Sequence, residues 1–193
     1  RNVGVGKGAD QLASFSKENP KVISIFNVAE GIASIPEFPL ERQAFNDIPV
    51  DVDNVIRRNL VGVDRKKFKL PPQFVSIPSR MVEIHQKLKN EIFDLDEQFS
   101  EGKIHTIKKY SGGYTNVDSN GFQILIDYPR SNYVPKYSIE SILNKNFSKD
   151  FFKNKMVVIG ATAPSLKDTF AFPSSRFIKD SQLMYISGAE IHA

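Results

Sequence analysis

The chain has 193 residues, the length of one domain of ordinary size. Its 26 basic and 22 acidic residues leave a net charge of +4, too small and too scattered to mark a nucleic-acid surface. Hydrophobic residues make up 40%, which argues against wholesale disorder, and the absence of cysteine excludes disulfides, thiolate metal sites and cysteine catalysis.

Residues 1–8 carry Gly4, Gly6 and Gly8 and read as a flexible lead-in. Asp10 is placed to cap a short helix with Leu12, Ala13 and Phe15 as its apolar face, and Pro20 stops it. Residues 21–28 are apolar on both parities, the pattern of a strand buried on both faces in a parallel sheet. Residues 31–49 hold Pro36, Pro39 and Pro49 and read as a long ordered loop. Residues 55–63 read as a second strand. Arg57 and Arg58 are adjacent on it, so their side chains point to opposite faces. One is expected to pair with Asp53 or Asp168 and the other to reach solvent.

The spacing of Met81, Ile84, Leu88, Ile92 and Leu95 predicts an amphipathic helix with Pro78 in its first turn, fading by Phe99. Residues 104–110 suggest another strand, and Asn120-Gly121 predicts a tight hairpin between residues 114–117 and 122–128. Ser138 is the cap of a short helix carrying Ile139, Ile142 and Leu143. Residues 155–160 read as a buried strand ending in Gly160, followed by a loop over residues 164–175. The longest nearly continuous apolar run, residues 156–163, is far short of the ~18 residues a membrane helix needs. The pattern is that of a mixed α/β domain spanning residues 1–193, with a partly parallel sheet and flanking helices.

Chemistry-bearing motifs are scarce. Residues 4–8 lack the preceding strand and the Ser or Thr of a phosphate-binding loop. Asp51-Val52-Asp53 opens no calcium loop, because Val55, Ile56 and Gly62 stand where an oxygen ligand, Gly and Glu are needed. His85, His105 and His192 are far apart and match no metal-ligand spacing. Ser14–Lys17 contains S-x-x-K without its companion motifs. The basic residues 65–69 lack interleaved aromatics except Phe68, and Asp94-Leu95-Asp96-Glu97 reads as a solvated face. What stands out is the small-residue loop after residues 157–159. In open α/β sheets ligands gather at the carboxyl ends of strands, so Gly160, Ala161 and Thr162, with Asp168 beyond them, are candidate ligand contacts. Asp53, Arg57, Arg58 and Asp168 are candidates for a structural ion pair. No catalytic residue, metal ligand or cofactor is expected.

The motifs Ile124-Leu125-Ile126-Asp127-Tyr128, Tyr137-Ser138-Ile139, Lys155-Met156-Val157-Val158-Ile159-Gly160-Ala161-Thr162-Ala163 and Leu166-Lys167-Asp168 follow one another. Phe172-Pro173-Ser174 and Gly188-Ala189-Glu190-Ile191-His192-Ala193 complete the series. Upstream stand Asp51-Val52-Asp53-Asn54-Val55-Ile56-Arg57-Arg58 and Pro78-Ser79. This order resembles the type-two CHASE domain, a family of extracytoplasmic sensors. Asn54 departs from the family's usual Gly, Pro129-Arg130 from its Arg-Gly, and Ala171-Phe172 from the Thr before its Pro. The family's opening portion has no counterpart here, so the expectation is a domain truncated at its N-terminal side.

The resemblance implies a signal-sensing, ligand-binding domain of a bacterial membrane receptor, and not an enzyme. It implies a place on the outer side of the cytoplasmic membrane, anchored through flanking segments. The regulated module would be a cytoplasmic adenylate cyclase, histidine kinase or serine/threonine kinase. The stimulus is an unspecified small molecule or physical signal, a second copy of the chain is a candidate partner, and nucleic acid is not one. Residues 170–185, rich in aromatics, are the expected relay. Two other readings stay open. One is an α/β enzyme acting on a phosphorylated or nucleotide substrate at the Gly160 loop; the other is a structural interaction module that senses nothing.

Overall fold

The computed structural model describes residues 8–128, 134–145, 147–175 and 185–193. The expected lead-in before Gly8, Pro129 with Arg130, and positions 176–184 of the expected relay lie outside the described residues. The class is mixed α/β, with one parallel and two antiparallel strand pairs among the described residues. The chain divides into two compact units: Arg1–Val50 with Arg58–Ile126, and Asp51–Arg57 with Asp127–Ala193.

In the first unit, α1 (Ala9–Glu18) is capped by Gly8, and Asp10 lies inside the first turn rather than at the cap. Leu12 and Phe15 are exposed, contrary to the apolar face expected of them; Ser16 is the fully buried position. The reason is polar: Arg42 donates to Ser16 O, and to Asn19 O at 2.6 Å, so the end of the helix is tied down by a guanidinium. β1 (Ser24–Phe26) pairs in parallel with β2 (Gln43–Phe45), Ser24 facing Gln43 and Phe26 facing Phe45. β2 lies within the stretch read as loop and is buried at all three positions, whereas Ile25 of β1 is exposed.

β3 (Arg58–Gly62) pairs antiparallel with β4 (Phe122–Leu125), with a register shift between Leu60 and Gly62. The tight hairpin predicted at Asn120-Gly121 is absent: the chain bends at Gly121, at φ +74°, and β4 pairs with β3 and not with residues 114–117. Residues 104–110 contribute no strand; Ile107 N–H donates to Gln123 O at 2.8 Å, and Lys109 O accepts from Val117 N–H at 3.0 Å. α2 (Arg65–Phe68) is capped by Asp64. α3 (Ile77–Leu88) starts at Ser76, whose Oγ accepts from Ser79 N, with Pro78 in the first turn as the sequence requires. The predicted long helix is broken after Leu88, where Asn90 turns to φ +60°, and Leu95 opens a separate α4 (Leu95–Ser100) capped by Asp94. Phe38, Ala44, Phe45, Val61, Val75, Ile77, Leu95 and Ile107 form this unit's buried apolar set among the described residues.

In the second unit, α5 (Ile139–Leu143) begins at Ser138, whose Oγ accepts from Ser141 N at 3.1 Å. β5 (Thr169–Ala171) and β6 (Tyr185–Ser187) pair antiparallel, and α6 (Gly188–His192) follows directly. Residues 155–160 form no strand, and Met156, Val157 and Ile159 are exposed. A strand needs neighbours to take its N–H and C=O groups, and an apolar pattern alone does not supply them.

Candidate functional site

Residues 51–57 form a turn that gathers charge. Asn54 N–H donates to Asp51 O at 2.9 Å, Asp51 N–H to Val55 O at 3.2 Å, and Asn54 sits at φ +59°. That left-handed conformation is easiest for glycine and next easiest for asparagine, so the Asn54 departure fits the turn. The turn sets two carboxylates before Arg57. Nη1 donates to Asp51 Oδ2 and Asp53 Oδ1 and Nη2 to Asp53 Oδ2, each at 2.8 Å. The side chain of Asp51 is 7% exposed and that of Arg57 33%. Hydrogen bonds to Asp53 and Asp51 raise the Arg57 pKa above its ordinary value, so this group stays a cation at every working pH. Ile56 N–H donates to Ala171 O at 2.9 Å, fastening the turn to β5.

Arg58 takes a different environment, and it does not reach solvent. It is 5% exposed, donates to Gln123 Oε1 at 2.6 Å and to Asp118 O at 3.2 Å, and lies 5.4 Å from the centre of the Tyr114 ring. Gln123 is held in turn, its Nε2 donating to Asp118 O and Asn120 O. Arg57 precedes β3, so strand alternation does not apply to the pair, and both arginines are engaged by the protein where one was expected to reach solvent.

Gly160, Ala161 and Thr162 are exposed and Asp168 is half-buried. Gly160 and Asp168 meet the first turn of α6. A Cβ on Gly160 would overlap the methyl of Ala189, and a Cβ on Gly188 would stand 2.5 Å from Asp168 Oδ1. Gly188 N–H donates to Asp168 O at 3.2 Å. The structure therefore brings Gly160 and Asp168 to successive residues of one turn through two glycine contacts. That turn is closed by a capping box: Ser187 Oγ accepts from Glu190 N, and Glu190 Oε2 accepts from Ser187 N and Oγ. Lys136 Nζ donates to Glu190 Oε1 at 2.8 Å. Burial alone would raise the Glu190 pKa, but the bonds from Lys136 and Ser187 outweigh it and hold the carboxyl below its ordinary value.

The first unit holds a groove that the sequence reading missed. It is a shallow depression open to solvent beside α2, α3 and the start of α4, with Arg65, Lys66, Glu83, Asp94 and Asp96 among its lining residues. Arg80 Nη1 stands 2.5 Å from Glu83 Oε2, and Arg80 Nε donates to Gln43 O at 3.2 Å, so this pair is locked into the fold. Arg65 Nη1 is anchored on Pro72 O at 3.3 Å. The basic residues 65–69 and the acidic residues 94–97 are both visible in the sequence. Their convergence is a tertiary event that neither run announces.

Residues 4–193 match the family model of the CHASE2 domain. No curated protein and no solved structure matches the chain.

Proposed function

The chain belongs to the CHASE2 domain family, a family of extracytoplasmic sensor domains, and from that premise we propose what it senses for and where. It detects a small-molecule or physical signal on the outer side of a bacterial cytoplasmic membrane. It passes that signal to a cytoplasmic adenylate cyclase, histidine kinase or serine/threonine kinase module. The match over residues 4–193 carries this reading. Among the described residues no helix is long and apolar enough to cross a membrane, so on this reading anchoring belongs to flanking segments of a longer polypeptide. Sensing needs only that the signal favour one arrangement of the domain over another, which a non-catalytic fold can supply. Gly160, Ala161, Thr162 and Asp168 are proposed ligand contacts, with no strand over residues 155–160 to present them and with Gly160 and Asp168 beside α6.

Fusing alkaline phosphatase or β-galactosidase after Ala193 in the full-length receptor tests the placement. Active phosphatase with silent galactosidase is expected. The reverse pattern places the chain in the cytoplasm and removes the reading.

A further inference from the structure

The second unit carries an aromatic cluster that the candidate site does not use. Tyr137 meets three rings edge-on, with centroids 5.1 Å away at Phe147, 5.3 Å at Phe151 and 6.3 Å at Phe152. Phe147 and Phe151 lie 4.6 Å apart, and Phe151 and Phe152 5.0 Å. The four rings therefore make one contiguous apolar surface. It is not covered: Tyr137 is 45% exposed and the three phenylalanines are partly exposed. α5 starts two residues after Tyr137. Its Ile139 and Leu143, one turn apart on the same face of the helix, are 63% and 72% exposed.

Lysines alternate with these rings along the chain. Between Leu143 and Val157 stand Lys145, Lys149, Lys153 and Lys155 against one acid, Asp150, and all four lysines are exposed. Successive turns hold this stretch tightly: Phe151 N–H donates to Ser148 O, Lys153 N–H to Asp150 O and Lys155 N–H to Phe152 O. Lys155 Nζ lies 4.2 Å from the centre of the Phe151 ring. Lys153 Nζ stands 3.7 Å from Asp150 Oδ1 with both side chains well exposed, a pair worth little in water. Lys145 and Lys149 have no carboxylate partner among the described residues.

Exposed cations beside an uncovered aromatic and aliphatic surface are the complement of an anionic bilayer. Lysine heads meet lipid phosphates while apolar side chains enter the headgroup boundary. Two other occupants fit worse. A second copy related by a two-fold axis would set these lysines against their own copies. A single-stranded nucleic acid needs open ring faces for its bases to stack on, whereas these rings are spent on one another and on Lys155.

We infer that this surface docks on the anionic headgroups of a lipid bilayer, with Lys145, Lys149, Lys153 and Lys155 at the phosphates and Ile139, Leu143 and the exposed edge of the aromatic cluster in the headgroup layer. The inference goes beyond the sensing reading and fails separately from it.

Co-sedimentation of the 193-residue chain with vesicles decides it. Phosphatidylcholine vesicles containing phosphatidylglycerol should be bound at least tenfold more tightly than vesicles of phosphatidylcholine alone, and high salt should weaken binding by screening the lysines. A lysine near an anionic bilayer is worth about fivefold in affinity, so Lys145→Gln combined with Lys149→Gln should weaken binding at least tenfold. Leu143→Gln should weaken it about threefold, at a side chain too exposed for the change to disturb the fold. Failure to bind the phosphatidylglycerol vesicles overturns the inference. So does equal binding to phosphatidylcholine alone, or unchanged affinity in the double lysine variant. A dimer that Leu143→Gln dissociates, or oligothymidylate held more tightly than the vesicles, also overturns it and gives the surface to a second copy or to nucleic acid. A chain that binds the vesicles but lies in the cytoplasm keeps the lipid surface and loses the sensing role. An extracytoplasmic chain that ignores them loses the surface and keeps the sensing role.

Discussion

A guanidinium that meets two carboxylates gains unequally from them. Asp51 is nearly buried and Asp53 about one-third exposed, so the bond from Arg57 to Asp51 works in a lower dielectric and is screened less. Replacing Asp51 by Ala should cost about 2–3 kcal/mol of stability, in the range of a buried bond to a charged group. Replacing Asp53 should cost about 0.5–1 kcal/mol, as for an exposed pair. Urea unfolding midpoints at constant m-value measure both, and equal losses would mean that burial does not rank them. Glu190 gives a pH signature at the same scale. Its folded pKa is held below the ordinary value, so its stabilisation is fully present above the unfolded glutamate value of about 4.3 and is lost as pH falls through the lower folded value. Wild type should exceed Glu190→Gln by about 0.5–1 kcal/mol at neutral pH, discounted for the half-exposed Lys136. That gap should close under acid. A gap that persists at pH 2 would show that the carboxylate charge is not its source.

Elements are joined here by small residues as much as by apolar ones. Gly160 faces Ala189 with no room for a side chain, so Gly160→Val should cost about 1–3 kcal/mol through overpacking. The contact is one of size, so Gly160→Ala paired with Ala189→Gly should recover part of the loss of Gly160→Ala alone. A double-mutant cycle without coupling would locate the strain elsewhere. Local elements were legible in the sequence where one short stretch specifies them. Ser138 before Ile139, and Pro78 in the first turn of α3, are chemistry between residues at most four apart. Gly121 likewise announces a bend, because the left-handed backbone it takes is easiest for glycine. It does not announce β3 as the partner of β4, some sixty residues upstream, because pairing is decided by burial and register across the fold. β2 was hidden among prolines for the same reason: three residues paired in parallel with β1 carry no local period. The glycine at position 160 was legible as a place of close approach. The groove beside Arg65 was not, because opposite charges from residues 65 and 96 meet only after folding.

At the scale of the molecule the path of the chain constrains how the two units fold. The chain leaves the first unit after Val50, serves the second as Asp51–Arg57, and re-enters the first at Arg58, the first residue of β3. No linker separates Arg57 from Arg58, so a residue bonded to Asp51 and Asp53 is followed at once by one bonded to Gln123. The second unit also depends on the loaned segment. β5 and β6 are strands of three residues, and a two-stranded pair of that length is marginal in water without further packing. Val55 and Ile56 supply part of that packing, both nearly or fully buried, with Ile56 bonded to Ala171. Residues 1–193 should therefore unfold as one cooperative domain. In urea, far-ultraviolet circular dichroism and the fluorescence of the six tyrosines should follow a single coincident transition. The isolated fragment Asp127–Ala193 should show the narrow amide dispersion of an unfolded chain, because it lacks Val55, Ile56 and the Arg57 clamp. Two separated transitions, or a fragment with native-like dispersion, would show that the second unit stands without the loan.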